Sequence, residues 1–400
     1  MLMTGKILYP SWLFLLFAAT LALGTDEFVI SGILPAIASD LGTTTGHVGL
    51  LVTAFALAFC IASPVIAVAT DKYDKKKVLV GGLLIFAIAN GLMVVVNSLW
   101  LALVLRVIAG ISASAVSPTA MAIAGSRAPS GREGKFLSIV TAGLTVALFT
   151  GVPFGVWVGD IWSWRGTFLV IALVTATVTL LSAALTPHVP GGTTTSFSER
   201  LSPIYNRDVI LLVIAMFLNG AGGLTFYSYL GSIVEVGLDE SPSNVTRTLL
   251  LVGVVGVVAV FLGGILTDRA GHRAARSIII GGHAVSLGFI GTFLLSKGTY
   301  GIAFFMLIAC WSVFAWALSP AMQASLIAAD PDRAMLAASL GISGMYGGAG
   351  IGAAIGGFLF DHVGLAAIPL VSGCLITIAW VSVQFIRRSP TSTSERRSWR

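Results

Sequence analysis

Long apolar runs separated by short polar turns recur along the whole chain, each about the 20 residues a helix needs to cross a bilayer. They fall near residues 11–36, 47–69, 78–96, 99–125, 135–160, 165–186, 208–234, 245–267, 276–296, 299–328, 335–360 and 364–386. This pattern predicts an all-α polytopic membrane protein of twelve spans. Twelve spans in 400 residues leave about 33 residues for each span and its loop, so no separate soluble domain fits. The first run continues from Phe28 to Ala38, past the length of a cleavable signal core. Composition agrees: hydrophobic residues are 56% and charged residues 10%, against roughly 25% charged in soluble domains. Mean hydropathy is +0.96.

Charge then orients the pattern. Lys6, Lys72, Lys75, Lys76, Lys77, Arg127, Arg132, Lys135, Arg200, Arg207, Arg269, Arg273, Arg276, Arg333 and the tail arginines from Arg387 fall on one predicted side. Arg165, Arg247 and Lys297 fall on the other. Basic loops stay in the cytoplasm, so both termini are expected inside, in a plasma-membrane protein. The basic pI near 9.4 does not indicate nucleic-acid binding, because the charges sit in short loops rather than on one folded face. Cys60, Cys310 and Cys374 lie inside spans, without disulfide or metal spacing, and read as small packing residues.

The longest polar stretch, 186–207, divides the chain into an N-terminal six-helix bundle (1–186), a cytoplasmic linker (187–207) and a C-terminal six-helix bundle with a short basic tail (208–400). The halves match. An offset of about 197 sets Thr70-Asp71 on Thr267-Asp268 and Lys76 on Arg273; an offset of about 202 sets Ser117-Pro118 on Ser319-Pro320. Gly151, Gly155 and Asp160 then fall on Gly352, Gly356 and Asp361. In the first register, Asp26 and Glu27 fall on Gly223 and Leu224, so buried charge belongs to the N-terminal half. Duplicated bundles are a recurring carrier design, with the site near the midplane between the repeats.

Four local patterns carry a family resemblance. Residues Ala67 to Lys76, with Asp71 and Lys72, are similar to a G-x-L-x-D-R-x-G-R-K loop, departing from it at Ala67, Ala69 and Asp74; Gly264 to Arg273, with Asp268 and Arg269, match it better. Leu103, Arg106, Ala109 and Gly110 resemble an arginine motif, and Gly143 with Gly151-Val-Pro153-Phe-Gly155 a loose antiporter motif. Gly24-Thr-Asp26-Glu27 running on to Pro35 is similar to the first span of chloramphenicol, sugar and nucleoside exporters. The chain thus resembles the twelve-span drug:proton antiporters of the major facilitator superfamily. That resemblance implies two pseudo-symmetric six-helix bundles and proton-coupled efflux by alternating access.

The candidate residues follow from cost. A carboxylate in a span is expensive unless it faces protein or water, and adjacent helical residues point about 100° apart. Asp26 and Glu27 are therefore expected to have different neighbours, one on a cavity and one against a packed helix. They are the candidate proton-coupling pair, with Glu27 favoured for the cavity. Arg106 keeps its charge anywhere, and the resemblance implies a role for it in the same coupling. Gly143, Gly151, Pro153 and Gly155 suit a helix that flexes while closely packed. Ser312, Trp316, Ser319 and Gln323 recur on one face of span 10, and Asn219, Phe226 and Tyr227 cluster in span 7; both sets are candidate cavity walls for a partly apolar ligand. Asp71 and Asp268 are candidate gate residues, each meeting a helix N-terminus of the other half, near Arg333 and Arg132 respectively, beside Lys72 and Arg269.

No nucleophile–base set, metal spacing or phosphate loop is present, so an enzyme is not expected. No cofactor is expected either, the proton gradient being the energy source. The expected partners are a small-molecule substrate, protons and the lipid bilayer, with the monomer as the functional unit. An uptake symporter or facilitator of the same fold is the first alternative, and a non-transporting receptor or scaffold the second. Buried Asp26, Glu27 and Arg106 speak against the scaffold, which gains nothing from them.

Overall fold

The computed structural model describes residues 10–129, 132–191 and 202–386. Lys6, Arg200, Thr193–Thr195 and the arginines from Arg387 lie outside these. Among the described residues, eleven helices are long and apolar enough to cross a membrane. We number them α1 (Ser11–Leu41), α2 (Thr45–Ala69), α3 (Lys75–Val95), α4 (Leu99–Arg127), α5 (Lys135–Ile161), α6 (Trp164–Leu185), α7 (Arg207–Gly237), α8 (Pro242–Leu295), α9 (Ile302–Ala329), α10 (Leu336–His362) and α11 (Ala367–Gln384). Helix α8 contains both the eighth and ninth predicted runs. Its 54 residues would measure roughly 80 Å if straight, at 1.5 Å per residue, against a hydrocarbon core of about 30 Å. The helix breaks at Gly271, whose φ of 79° and ψ of 150° are open mainly to glycine.

Local chemistry sets the helix ends. Thr44 caps α2 by accepting from the His47 N–H at 3.1 Å. Asp74 caps α3 through the Lys76 and Lys77 N–H groups at 2.8 and 3.3 Å. Gly42, at a φ of 62°, closes α1. The outer surface is apolar: Ile85, Ile88, Trp100, Val254, Phe261, Phe289 and Ile378 are all exposed, which water would not tolerate as a continuous belt. Cys310 and Cys374 are exposed too, and Cys60 is half-buried.

The start of the 187–207 segment is pinned to the α2–α3 loop. The Lys75 N–H donates to Val189 O at 2.8 Å, His188 Nδ1 meets Asp74 Oδ2 at 3.1 Å, and Arg127 donates to the His188 carbonyl. Burial alone would raise the Asp74 carboxyl, but the bonds from His188, Lys77 and Lys76 outweigh it and hold the group below its ordinary range.

Glycines set how closely the central helices approach. A methyl added at Gly143 would overlap Thr20 Oγ1 and the Phe17 carbonyl, one at Gly151 would overlap Thr25 Oγ1, and one at Gly155 would come within 2.7 Å of Val29 Cγ2. Helix α5 therefore seats directly on α1. Its backbone widens into a π-turn at Ala147–Gly151, just before Pro153, where such turns ease a bend. Helix α10 seats on α7 in the same way, with Gly352 against Thr225 Oγ1 and Ala221. Thr25 and Thr225 each bond the carbonyl four residues back, at 2.8 and 2.6 Å. The contacts therefore pair Thr25 with Thr225, and Asp26-Glu27 with Phe226-Tyr227. This corrects the sequence register on Gly223-Leu224 by three residues, since π-turns and loops of unequal length defeat any single offset.

Candidate functional site

The two adjacent acids of α1 point to different neighbours, as their 100° step demands. Asp26 is fully buried and accepts from Arg106 Nη1 of α4 at 2.7 Å. Arg106, 1% exposed, also lies over the Phe55 ring, 4.4 Å from its centroid. The clamp is incompletely satisfied: Asp26 Oδ1 and Arg106 Nε have no hydrogen-bond partner among the described residues.

Glu27 is half-buried and turns into a small central cavity. Its Oε2 accepts from the Tyr346 hydroxyl of α10 at 2.8 Å, and Tyr346 stacks on Phe59 of α2 at 4.1 Å. The cavity is bounded by Glu27, Ser31, Phe55, Arg106, Tyr227 and Tyr346, among others. At about 20 Å³ it has room for about one water. Small-molecule sites run to about 300–1,000 Å³, so this conformation is closed around its centre. A larger apolar groove of about 450 Å³, between α2, α3 and α4, is lined by neither acid.

Phe28 contributes the wall beside the acids. Its ring meets Tyr227 of α7 and Trp316 of α9 edge-on, at centroid distances of 5.6 and 5.7 Å. The other residues singled out in the sequence are dispersed. Phe226 packs on Trp311 at 4.8 Å. Ser312 bonds Val252 O at 2.9 Å, joining α9 to α8. Ser319 is exposed, Gln323 half-buried, and Asn219 buried below Tyr227 on α7. At the loops, Asp71 pairs with Lys75 at 3.5 Å, while Lys72, Arg132, Asp268, Arg269 and Arg333 are exposed. The sequence pattern does not point to Tyr346, Phe28 or Ser31. A tyrosine within the glycine-rich run of α10 is the one signal the sequence carries for Tyr346.

A further contact joins distant segments at one end of the helices. Asp361, at the end of α10, accepts from Thr44 Oγ1 at 2.5 Å and from the Gly46 N–H at 3.2 Å. A carboxylate here sits on the positive N-terminus of α2. Hydrogen bonds to a charged group contribute about 1.5–3 kcal/mol, so Asp361→Ala should shift the closed–open balance at this end by at least about tenfold. Spin labels at His47 and His362 would read this as a growing long-distance population; superimposable distance distributions would show that the contact holds nothing shut.

Buried charge around a closed central cavity, within an all-helical multi-span membrane protein, defines a solute carrier rather than an enzyme. The chain belongs to the major facilitator superfamily, whose family model matches residues 16–334. It is 28% identical over 378 residues to the uncharacterised MFS-type transporter YbcL of Bacillus subtilis, covering 94% of this chain and 96% of that one. It is 27% identical over 380 residues to a chloramphenicol resistance protein of Streptomyces lividans, covering 92% and 94%. To a probable sugar efflux transporter of Mannheimia succiniciproducens it is 28% identical over 378 residues, covering 93% of each. The crystal structure of a D-xylose-proton symporter superposes with a TM-score of 0.80 at 16% identity, covering 94% of this chain and 97% of that one. That likeness shows the fold.

Proposed function

We propose that this transporter exports a small, partly apolar molecule in exchange for protons, by alternating access in the plasma membrane. One observation carries the reading: Glu27 lies on the central cavity and bonds across to Tyr346 of α10, while Asp26 beside it is locked to Arg106. A carboxylate bridging the two halves is a group whose loss of charge loosens one state of the carrier. The break at Gly271 supports reading α8 as two crossings, which makes twelve helices in two bundles, 1–186 and 208–400, joined by the linker. The basic loops support cytoplasmic termini, and the self-contained pair of bundles supports a functional monomer. The exporters among the relatives favour drug-like molecules or sugars as substrates, and favour efflux over uptake.

The test is uptake into inverted vesicles with an acid interior, using labelled chloramphenicol, D-xylose and uridine. Accumulation of at least one probe, abolished by a protonophore, is expected. Accumulation under the opposite gradient would mean symport, and gradient-independent equilibration would mean a facilitator; either outcome overturns the exchange reading.

A further inference from the structure

Helices α2 and α3 each pack along α4 but scarcely touch one another, which leaves a trough over α4. Glycines seat both walls: a Cβ on Gly110 of α4 would overlap the Phe55 carbonyl of α2, and one on Gly82 of α3 would stand 2.8 Å from Val116 of α4. The trough is the groove of about 450 Å³, with Ile66, Ile85, Ile108 and Ile111 in its apolar lining. The two hydroxyls in the lining turn onto their own helices. Thr70 donates to Ile66 O at 2.7 Å, and Ser112 to Ile108 O and Ala109 O at 2.9 Å. Among the described residues that line the groove, Lys77 alone is charged, and it stands at the loop end.

The dimensions are those of one leaflet. From Lys77 to Ile85 the groove follows α3 for about 12 Å, at 1.5 Å per residue; half of a hydrocarbon core of about 30 Å is about 15 Å. Ile85, Ile108 and Ile111 are exposed, so this face meets acyl chains in a bilayer. Gly81 keeps the slot open, since a Cβ there would meet nothing within 4 Å. The loop end is basic: residues 71–77 hold four lysines and two aspartates. Both aspartates are engaged, Asp71 with Lys75, and Asp74 with His188 and the first N–H groups of α3. Lys76 and Lys77 form no ion pair among the described residues. Basic side chains beside membrane helices attract anionic headgroups. An apolar slot one leaflet deep, with a cation at its polar end, therefore complements a lipid that carries net negative charge.

We infer that this groove binds one anionic phospholipid, with an acyl chain lying along Gly81 and Ile85 and the phosphate at Lys77. The site is independent of what the carrier moves, because neither Asp26 nor Glu27 lines it.

The test is native mass spectrometry of the purified full chain, delipidated in detergent and titrated with dioleoyl phosphatidylglycerol or dioleoyl phosphatidylcholine. The two lipids share their chains and differ in headgroup charge. The first phosphatidylglycerol should bind about fivefold tighter, the scale of one lysine facing an anionic headgroup. Lys77→Gln should abolish that preference and Lys77→Arg keep it. Gly81→Leu should weaken both lipids alike, because it fills the chain slot and leaves the charge. Neither position disturbs the packed interior: Lys77 is exposed, and the space over Gly81 is open. Equal binding of the two lipids by wild type, a preference that survives Lys77→Gln, or an affinity untouched by Gly81→Leu would each overturn the site. A wild-type dimer that Gly81→Leu separates would give the groove to a second copy of the chain. Displacement of phosphatidylglycerol by chloramphenicol would give it to cargo, and either result removes the lipid assignment.

Discussion

Asp26→Ala is expected to destabilise the folded protein by about 3–5 kcal/mol, the cost of leaving a buried charge unpaired. Arg106 would then be a buried guanidinium with no carboxylate: it is 1% exposed, its Nη1 partner is gone, and its Nε already lacks an acceptor among the described residues. The ring of Phe55, 4.4 Å away, offers only a cation–π contact of about 0.5–2 kcal/mol. Removing both partners together, as Asp26→Asn with Arg106→Gln, should recover most of the loss, because two neutral amides can pair where one bare charge cannot. Thermal unfolding of the three purified proteins in detergent gives the comparison. A double variant no more stable than Asp26→Ala would show that the charges do not act as a pair. Binding in the recovered double variant would then separate a clamp from a transport residue.

Glu27→Gln should reduce gradient-driven efflux to the level of empty vesicles while leaving substrate binding in place. The substitution is close to isosteric, and its amide oxygen can still accept from the Tyr346 hydroxyl, now 2.8 Å from the carboxylate. What disappears is the ability to gain and lose a proton on the cavity. Under the proposed exchange, substrate and proton compete for the carrier, so a permanently neutral side chain would not be reset by the gradient. Passive exchange of labelled for unlabelled substrate, which needs no proton, should continue. Tyr346→Phe removes the bond but not the titrating group, and should slow transport without uncoupling it. If Glu27→Gln, and also the Asp26→Asn, Glu27→Gln double variant, still concentrate substrate against its gradient, the proton site lies elsewhere.

The hydrophobic pattern by itself determined a great deal. Runs of about 20 apolar residues have one stable form in lipid, a helix that satisfies its own backbone, so the crossings and their turns follow from local composition. The step of 100° between neighbours likewise separates the surroundings of Asp26 and Glu27 before any fold is known. Candidate residues such as Ser312 and Ser319 share a helical face, and that face is legible in the sequence; whether it meets another helix, a cavity or lipid is not.

Tertiary structure decided those questions. Arg106 as the partner of Asp26, Tyr346 as the partner of Glu27, and Thr44 with Gly46 as partners of Asp361 join residues 80, 319, 317 and 315 positions apart. Such pairings depend on how far each helix is rotated and slid against the next. That is set where glycines let backbones touch, as Gly143 and Gly151 do for α1 and α5. The same contacts, and not an alignment offset, match Thr25 to Thr225 across the halves. A periodic sequence specifies which way a side chain leaves its own helix; only the packed neighbours decide what it finds there.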